Sequence, residues 1–172
     1  MNDYKNEQLK KYSGVKGWLL LFCLVLTIFS PLAIFYISAT SYKEFESVFS
    51  MFPSLEKWFY IDGLLNLVLM GLSIRAGIAL WTVKPGAVKT AKNYLLIFLA
   101  YTGISVLLPF MAGLPTEVND AMAPAIIESV FHALIFFGVW YSYLNKSKRV
   151  KATYNSNITS EEFESIFVEK YR

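Results

Sequence analysis

Four stretches of the chain are nearly free of charge, and the charged residues crowd between them. Residues 17–37 (GWLLLFCLVLTIFSPLAIFYI) carry none. Residues 58–81 carry only Asp62 and Arg75. Residues 94–114 have no ionisable side chain except tyrosine, and residues 121–144 hold Glu128 and His132. Each stretch is about 20 residues, the length an α-helix needs to cross ~30 Å of hydrocarbon at 1.5 Å per residue. A helix of a soluble bundle shows a polar stripe every 3.6 residues, whereas the first and third stretches are apolar all round. The pattern predicts an all-α protein, a bundle of four transmembrane helices. A polar tail (1–16) precedes this domain (17–144), and a basic, amphipathic tail (145–172) follows it.

The first span follows a 16-residue polar tail, exceeds a signal-peptide core in length and contains Pro31. It is therefore expected to be retained rather than cleaved. Cys23, within it, is expected to act as a small apolar packing residue.

The loops predict orientation. Lys5, Lys10, Lys11 and Lys16 lie in the N-terminal tail, Lys84, Lys89 and Lys92 between spans two and three, and Lys146, Lys148, Arg149 and Lys151 just after span four. The first loop balances Lys43 and Lys57 with Glu44, Glu46 and Glu56; the third holds only Glu117 and Asp120. Basic residues are retained on the cytoplasmic side, so both termini are expected there, in a multi-pass protein of a bacterial inner membrane. Trp18, Trp58, Trp81 and Trp140 fall at the predicted span ends, where indole favours the headgroup layer.

Two amphipathic pieces stand outside the spans. In the first loop (38–57), Phe45, Val48, Phe49 and Phe52 recur at helical spacing. They predict a short external helix on the membrane surface or capping the bundle, stopped by Pro53. Near the C-terminus, Thr159 and Glu162 form a capping box ahead of Phe163, Ile166 and Phe167, which predicts a short cytoplasmic helix. It reads as a surface helix against lipid or its own bundle, or as a docking helix for a partner.

Composition agrees with a lipid solvent: 172 residues, 55% hydrophobic, only 17% charged, against roughly a quarter charged in soluble domains. One cysteine excludes a disulfide scaffold and a cysteine-rich zinc site. One histidine, with no phosphate loop, HExxH or GxSxG, leaves no basis for an enzyme or a cofactor. The basic segment Lys146, Lys148, Arg149, Lys151 reads as a topological signal with attraction to anionic lipid. No helix-turn-helix or stacking platform accompanies it, so nucleic acid is not expected as a partner.

The opening GVKGWLLLF, the proline in the first span and the closing WYSYLNKSKRVKATY resemble the YdgK-like group of small bacterial inner-membrane proteins, a domain of unknown function. The likeness runs from about Gly14 to Tyr154 and is most specific at Ser147, Arg149, Val150, Lys151, Thr153 and Tyr154. It implies four helices and an inner-membrane address, and it supplies no activity and no site.

A charge near mid-membrane costs at least ~2.5 kcal/mol, so the charged groups in the spans are the candidate functional residues. On a helical wheel Asp62, Asn66, Ser73 and Gly77 share one stripe of span two. Glu128 and His132 border the small triplet Ala125, Ser129, Ala133 of span four, which permits close helix contact. Both pairs are expected to point into the bundle at matching depth, Asp62 and Asn66 opposite Glu128 and His132. They would serve as interhelical hydrogen bonds or as a proton-responsive or ligand-binding cluster. One histidine with three oxygen ligands is too unspecific a set to name a metal. Arg75 lies nearly opposite Asp62 on the wheel and ~20 Å away along the axis, too far to pair. It is expected to snorkel to the nearer headgroups or to meet the tail, a subunit or a partner.

Three functions fit. The first is a non-enzymatic accessory or regulatory subunit binding a membrane-protein partner, or a homo-oligomer, with lipid around it. The second is a small proton-coupled transporter using the polar cluster. The third is an immunity-type protein against a pore-forming toxin.

Overall fold

The computed structural model describes residues 11–49, 53–111 and 116–154. Every regular element among them is helical: α1 (Trp18–Leu24), a π-helical turn (Val25–Phe29), α2 (Ser30–Phe49), α3 (Pro53–Trp81), α4 (Ala87–Met111), α5 (Thr116–Lys146) and α6 (Lys148–Tyr154). Four helices are long and apolar enough to cross a membrane: Trp18–Lys43, Glu56–Trp81, Ala87–Leu107 and Ala123–Lys146. Neighbours in sequence are neighbours in space: the first span packs on α3, α3 on α4 and α4 on α5, with α6 against α4 and α5. Short connections between long helices make such neighbours antiparallel.

The bundle is tightly packed at one end. Leu19, Phe22, Cys23, Leu26, Ala76, Leu80, Ala91, Tyr94, Leu95, Trp140 and Leu144 form the buried core, all near the end that carries Trp18, Trp81, Ala87 and Lys146. We call this the basic end, because Lys84, Lys89, Lys92, Lys146, Lys148, Arg149 and Lys151 cluster there. Cys23 is fully buried among apolar neighbours. Towards the far end, among the described residues, only scattered side chains are buried, such as Phe49, Leu69 and Ala133.

The first span carries its irregularity where its proline demands one. A proline inside a helix has no N–H to give and its ring crowds the preceding turn. Ahead of Pro31 the chain widens into the π turn, in which the Ser30 N–H reaches five residues back to the Val25 carbonyl. Pro31, next in that register, has no donor for the Leu26 carbonyl. The buried Ser73 hydroxyl of α3 donates to that carbonyl at 2.8 Å. Gly77, one turn on, lets α3 lie against the π turn: a Cβ there would collide with Thr27 Cγ2 and stand 3.1 Å from Leu26 Cβ.

Several expectations need correction. The external segment is helical, but over 38–49 it continues the first span as the end of α2 instead of forming a separate helix. Phe49 folds inward on Tyr42 and Phe59, with ring centroids 5.6 and 5.5 Å away. No glycine or proline lies between Leu32 and Phe49, so nothing in the sequence breaks the helix there. Pro53 does not stop a helix; it is the first residue of α3, where a missing N–H costs nothing. The third and fourth helices begin at Ala87 and Thr116, earlier than their apolar stretches, because a helix continues through polar residues outside the apolar layer. Trp140 does not face the surroundings of the bundle. It is 7% exposed and stacked on Phe22 at 4.4 Å, because α1 and α5 meet at this level. Trp18, by contrast, is 65% exposed. The capping box at Thr159 and the helix expected after it lie outside the described residues.

Candidate functional site: polar groups of the spans and of the basic end

Asp62 and Asn66 are one helical turn apart on α3, and both are half-buried. The Asn66 amide donates to Asp62 Oδ2 at 2.9 Å, and the Tyr101 hydroxyl of α4 donates to Asp62 Oδ1 at 2.6 Å. The carboxylate thus receives one donor on each oxygen, and the short Tyr101 bond has the length of a charge-assisted one. The arrangement pins α3 to α4 in the loosely packed half of the bundle. Tyr101 was absent from the sequence expectations. Its only signal is a phenol hydroxyl in a span that also carries Tyr94, Thr102 and Ser105, and no periodicity distinguishes it from a packing aromatic.

Glu128 and His132 stand elsewhere. His132 Nδ1 is 4.0 Å from Glu128 Oε1, and the two side chains are 73% (Glu128) and 70% (His132) exposed. The expected inward orientation is therefore wrong, and the cluster of four divides into two separate pairs. The cause is the way α5 packs. Its buried side runs through Ala133, Trp140 and Leu144, which turns Phe131, Ile135 and Val139 outward together with Glu128 and His132. Of the small triplet only Ala133 is buried; Ala125 and Ser129 are exposed. Aromatic packing around Trp140 sets the rotation of the helix, not the small residues.

Arg75 is exposed and bonds to neither Asp62 nor Glu128. With Lys84 it lines a groove between α3 and the start of α4. Lys92, expected in a loop, lies in α4, where its ammonium donates to Asn145 Oδ1 at 2.6 Å and stands 5.7 Å from the centroid of the Tyr141 ring.

The basic segment is folded onto the bundle. Lys146 ends α5, and Ser147 opens α6: its hydroxyl accepts the Val150 N–H at 3.4 Å, as an N-cap does. Val150 is buried, and Lys148, Arg149 and Lys151 are partly buried beside it. The Tyr154 hydroxyl donates to the Leu80 carbonyl at 2.7 Å, a second donor for an acceptor in the last turn of α3 that also takes the Val83 N–H. Burial pushes the Tyr154 phenol above its ordinary pKa, so it stays protonated and keeps that bond. Thr153 reaches the other end of the chain, accepting the Gly14 N–H at 3.0 Å. Gly14 has φ 93, a conformation glycine adopts without strain.

Residues 12–155 match the family described as a protein of unknown function, DUF2569, and the chain belongs to that family. No curated protein and no solved structure matches it. The matched region opens and closes at the two segments that Gly14 and Thr153 join.

Proposed function

We propose, from the premise that this is a DUF2569 chain with four membrane-spanning helices, that it is a non-enzymatic accessory or regulatory subunit. It binds a partner within the membrane through the outward side of α5. In this reading both termini are cytoplasmic, the membrane is a bacterial inner membrane, and the narrower YdgK-like likeness rests on the GVKGW and SKRVKATY segments.

The observation that supports it is the Glu128–His132 pair. Two ionisable side chains, each about 70% exposed or more, lie on an apolar helix surface together with Phe131, Ile135 and Val139. Ionisable groups at membrane depth face a bundle interior or a water-filled cavity, because lipid offers them neither solvation nor a partner. Glu128, His132, Ile135 and Val139 follow 4-3-4 spacing, the seam geometry of a helix that meets another helix. A second helix on this seam removes the pair from lipid and supplies hydrogen-bonding groups.

The proton-coupled transporter is supported less. Asp62 and Glu128, which it would link, hold different partners: Tyr101 and Asn66 for the first, His132 for the second.

The experiment is photo-crosslinking in cells from probes at Phe131 and Ile135, with Leu64 as an exposed apolar control on α3. The reading expects a discrete protein adduct from the α5 probes alone, and the same protein in stoichiometric amount after mild-detergent purification. Lipid adducts of equal yield at all three positions would overturn it.

A further inference from the structure

The groove lined by Arg75 and Lys84 has a volume of about 500 Å³ and two chemically different zones. Arg75 stands six residues before Trp81, ~9 Å inside the basic end of α3, within reach of the headgroup layer for its long side chain. Lys84 lies at the mouth, in the turn between α3 and α4. Beside Arg75 and one turn deeper the lining is apolar, with Ile74 adjacent to it and Gly71 a turn further in. A Cβ built on Gly71 meets nothing within 4 Å, so the groove is open at that level.

Lys84 is held in place by the end of α3. Its N–H reaches back to the Ala79 carbonyl at 3.1 Å, and the Val83 N–H to the Leu80 carbonyl at 3.2 Å, the paired bonds of a Schellman end. Val83 takes the left-handed position of that motif, with φ 49. A β-branched residue is strained there.

The charge is one-sided. From Gly63 to Thr116 the sequence holds Arg75, Lys84, Lys89 and Lys92 and no aspartate or glutamate. Arg75 has no hydrogen bond or ion pair among the described residues. A guanidinium at the membrane boundary with no anionic partner among the described residues offers a site for an anion from outside them, and a phosphate suits its planar fork.

We propose that this groove binds one anionic phospholipid, its phosphate held by Arg75 and Lys84 and one acyl chain lying along Ile74 and Gly71. A free phosphate ion would use only the cationic zone; the open apolar zone above it fits the lipid. Basic pockets between spanning helices take anionic headgroups by this chemistry.

The test is native mass spectrometry of the full chain in mild detergent, titrated separately with dioleoyl phosphatidylglycerol and dioleoyl phosphatidylcholine. The wild type should hold one phosphatidylglycerol in preference to phosphatidylcholine. Arg75→Gln and Lys84→Gln should each weaken that binding roughly fivefold, the effect of one interfacial charge. Gly71→Leu, which fills the apolar zone without altering charge, should weaken it as well. Lys89→Gln, an exposed cation outside the groove, should not. Lys84 lies outside the helices, so its variant keeps the test valid if Arg75→Gln fails to fold. The proposal fails if the Arg75 and Lys84 variants bind as the wild type does, or if Lys89→Gln loses as much, which would mark diffuse attraction only. It also fails if Gly71→Leu binds normally or inorganic phosphate competes at equal concentration, either of which would leave an anion site without a lipid.

Discussion

Gly14 and Thr153 are 139 residues apart and exchange two hydrogen bonds: the Gly14 N–H to Thr153 Oγ1 at 3.0 Å, and the Thr153 hydroxyl to the Gly14 carbonyl at 3.4 Å. One hydroxyl rotor serves both a donor and an acceptor of a backbone that no helix satisfies at this point. The chain ahead of α1 and the helix after α5 are thereby joined beneath the packed end of the bundle. Tyr154 ties the same helix to the end of α3 through the Leu80 carbonyl. The first and last described segments of the region matched to the family are thus two halves of one structural clasp.

Removing the clasp should loosen the basic end without unfolding the spans. Thr153→Val and Tyr154→Phe should each cost about 1 kcal/mol, the net value of a hydrogen bond, read as a lower melting temperature in detergent. The Tyr154 contribution depends on pH with a definite sign. Its folded pKa is raised above the ordinary 10.0, so the bond contributes fully below pH 10 and is lost progressively as the pH rises above it. The advantage of wild type over Tyr154→Phe should therefore narrow above pH 10. An advantage that grows there would contradict the assignment.

Ser73 and Pro31 should be energetically coupled. Ser73→Ala leaves the Leu26 carbonyl without its 2.8 Å donor and should cost 1–3 kcal/mol, the penalty for an unsatisfied buried acceptor. In a Pro31→Ala background the chain regains an N–H for that register, and the same Ser73→Ala change should cost markedly less. A double-mutant cycle on melting midpoints with zero coupling would show that the serine hydroxyl does not substitute for the missing donor.

Span number and helical class were legible because lipid forces long apolar runs, and no soluble packing pattern imitates residues 17–37 or 94–114. The rotation of each helix was not legible. On α5 the small residues Ala125 and Ser129 and the polar pair Glu128 and His132 together suggested an inward face, yet Trp140 and Leu144 set the contact and turned that pair outward. In a membrane both sides of a helix are apolar, so hydropathy cannot distinguish core from lipid, and only shape complementarity does. The same ambiguity concealed Tyr101, which looks like a packing aromatic until Asp62 is seen against its hydroxyl. The role of Ser73 was concealed differently: it depends on a register change that Pro31 imposes on another helix.

The orientation proposed above has a direct check. Single cysteines in a Cys23→Ser background, placed near Lys89 and Asn155, should be shielded from a membrane-impermeant thiol reagent in whole cells. Cysteines near Ser47 and Thr116 should react. The expectation rests on 13 of the 16 basic residues falling on one side by the loop assignment. Labelling between Lys84 and Lys92 from outside would reverse the protein in the membrane.

Asp62 and Tyr101 should act as a unit that fastens α3 to α4. Tyr101→Phe removes the 2.6 Å donor and leaves one carboxylate oxygen of a half-buried acid unpaired, and should cost 1.5–3 kcal/mol, the range for hydrogen bonds to charged groups. Asp62→Asn keeps an acceptor for Tyr101 while removing the charge, and should cost less than Asp62→Leu, which leaves both Tyr101 and Asn66 without their acceptor. Once Asp62 is leucine, Tyr101→Phe should cost little, because the hydroxyl has already lost its partner. The coupling should appear in thermal midpoints and also in amide exchange, where the far half of α3 would open ahead of the core around Leu80 and Leu95. If Tyr101→Phe destabilises equally with and without Asp62, the tyrosine acts through packing alone and the carboxylate is held by Asn66 and solvent.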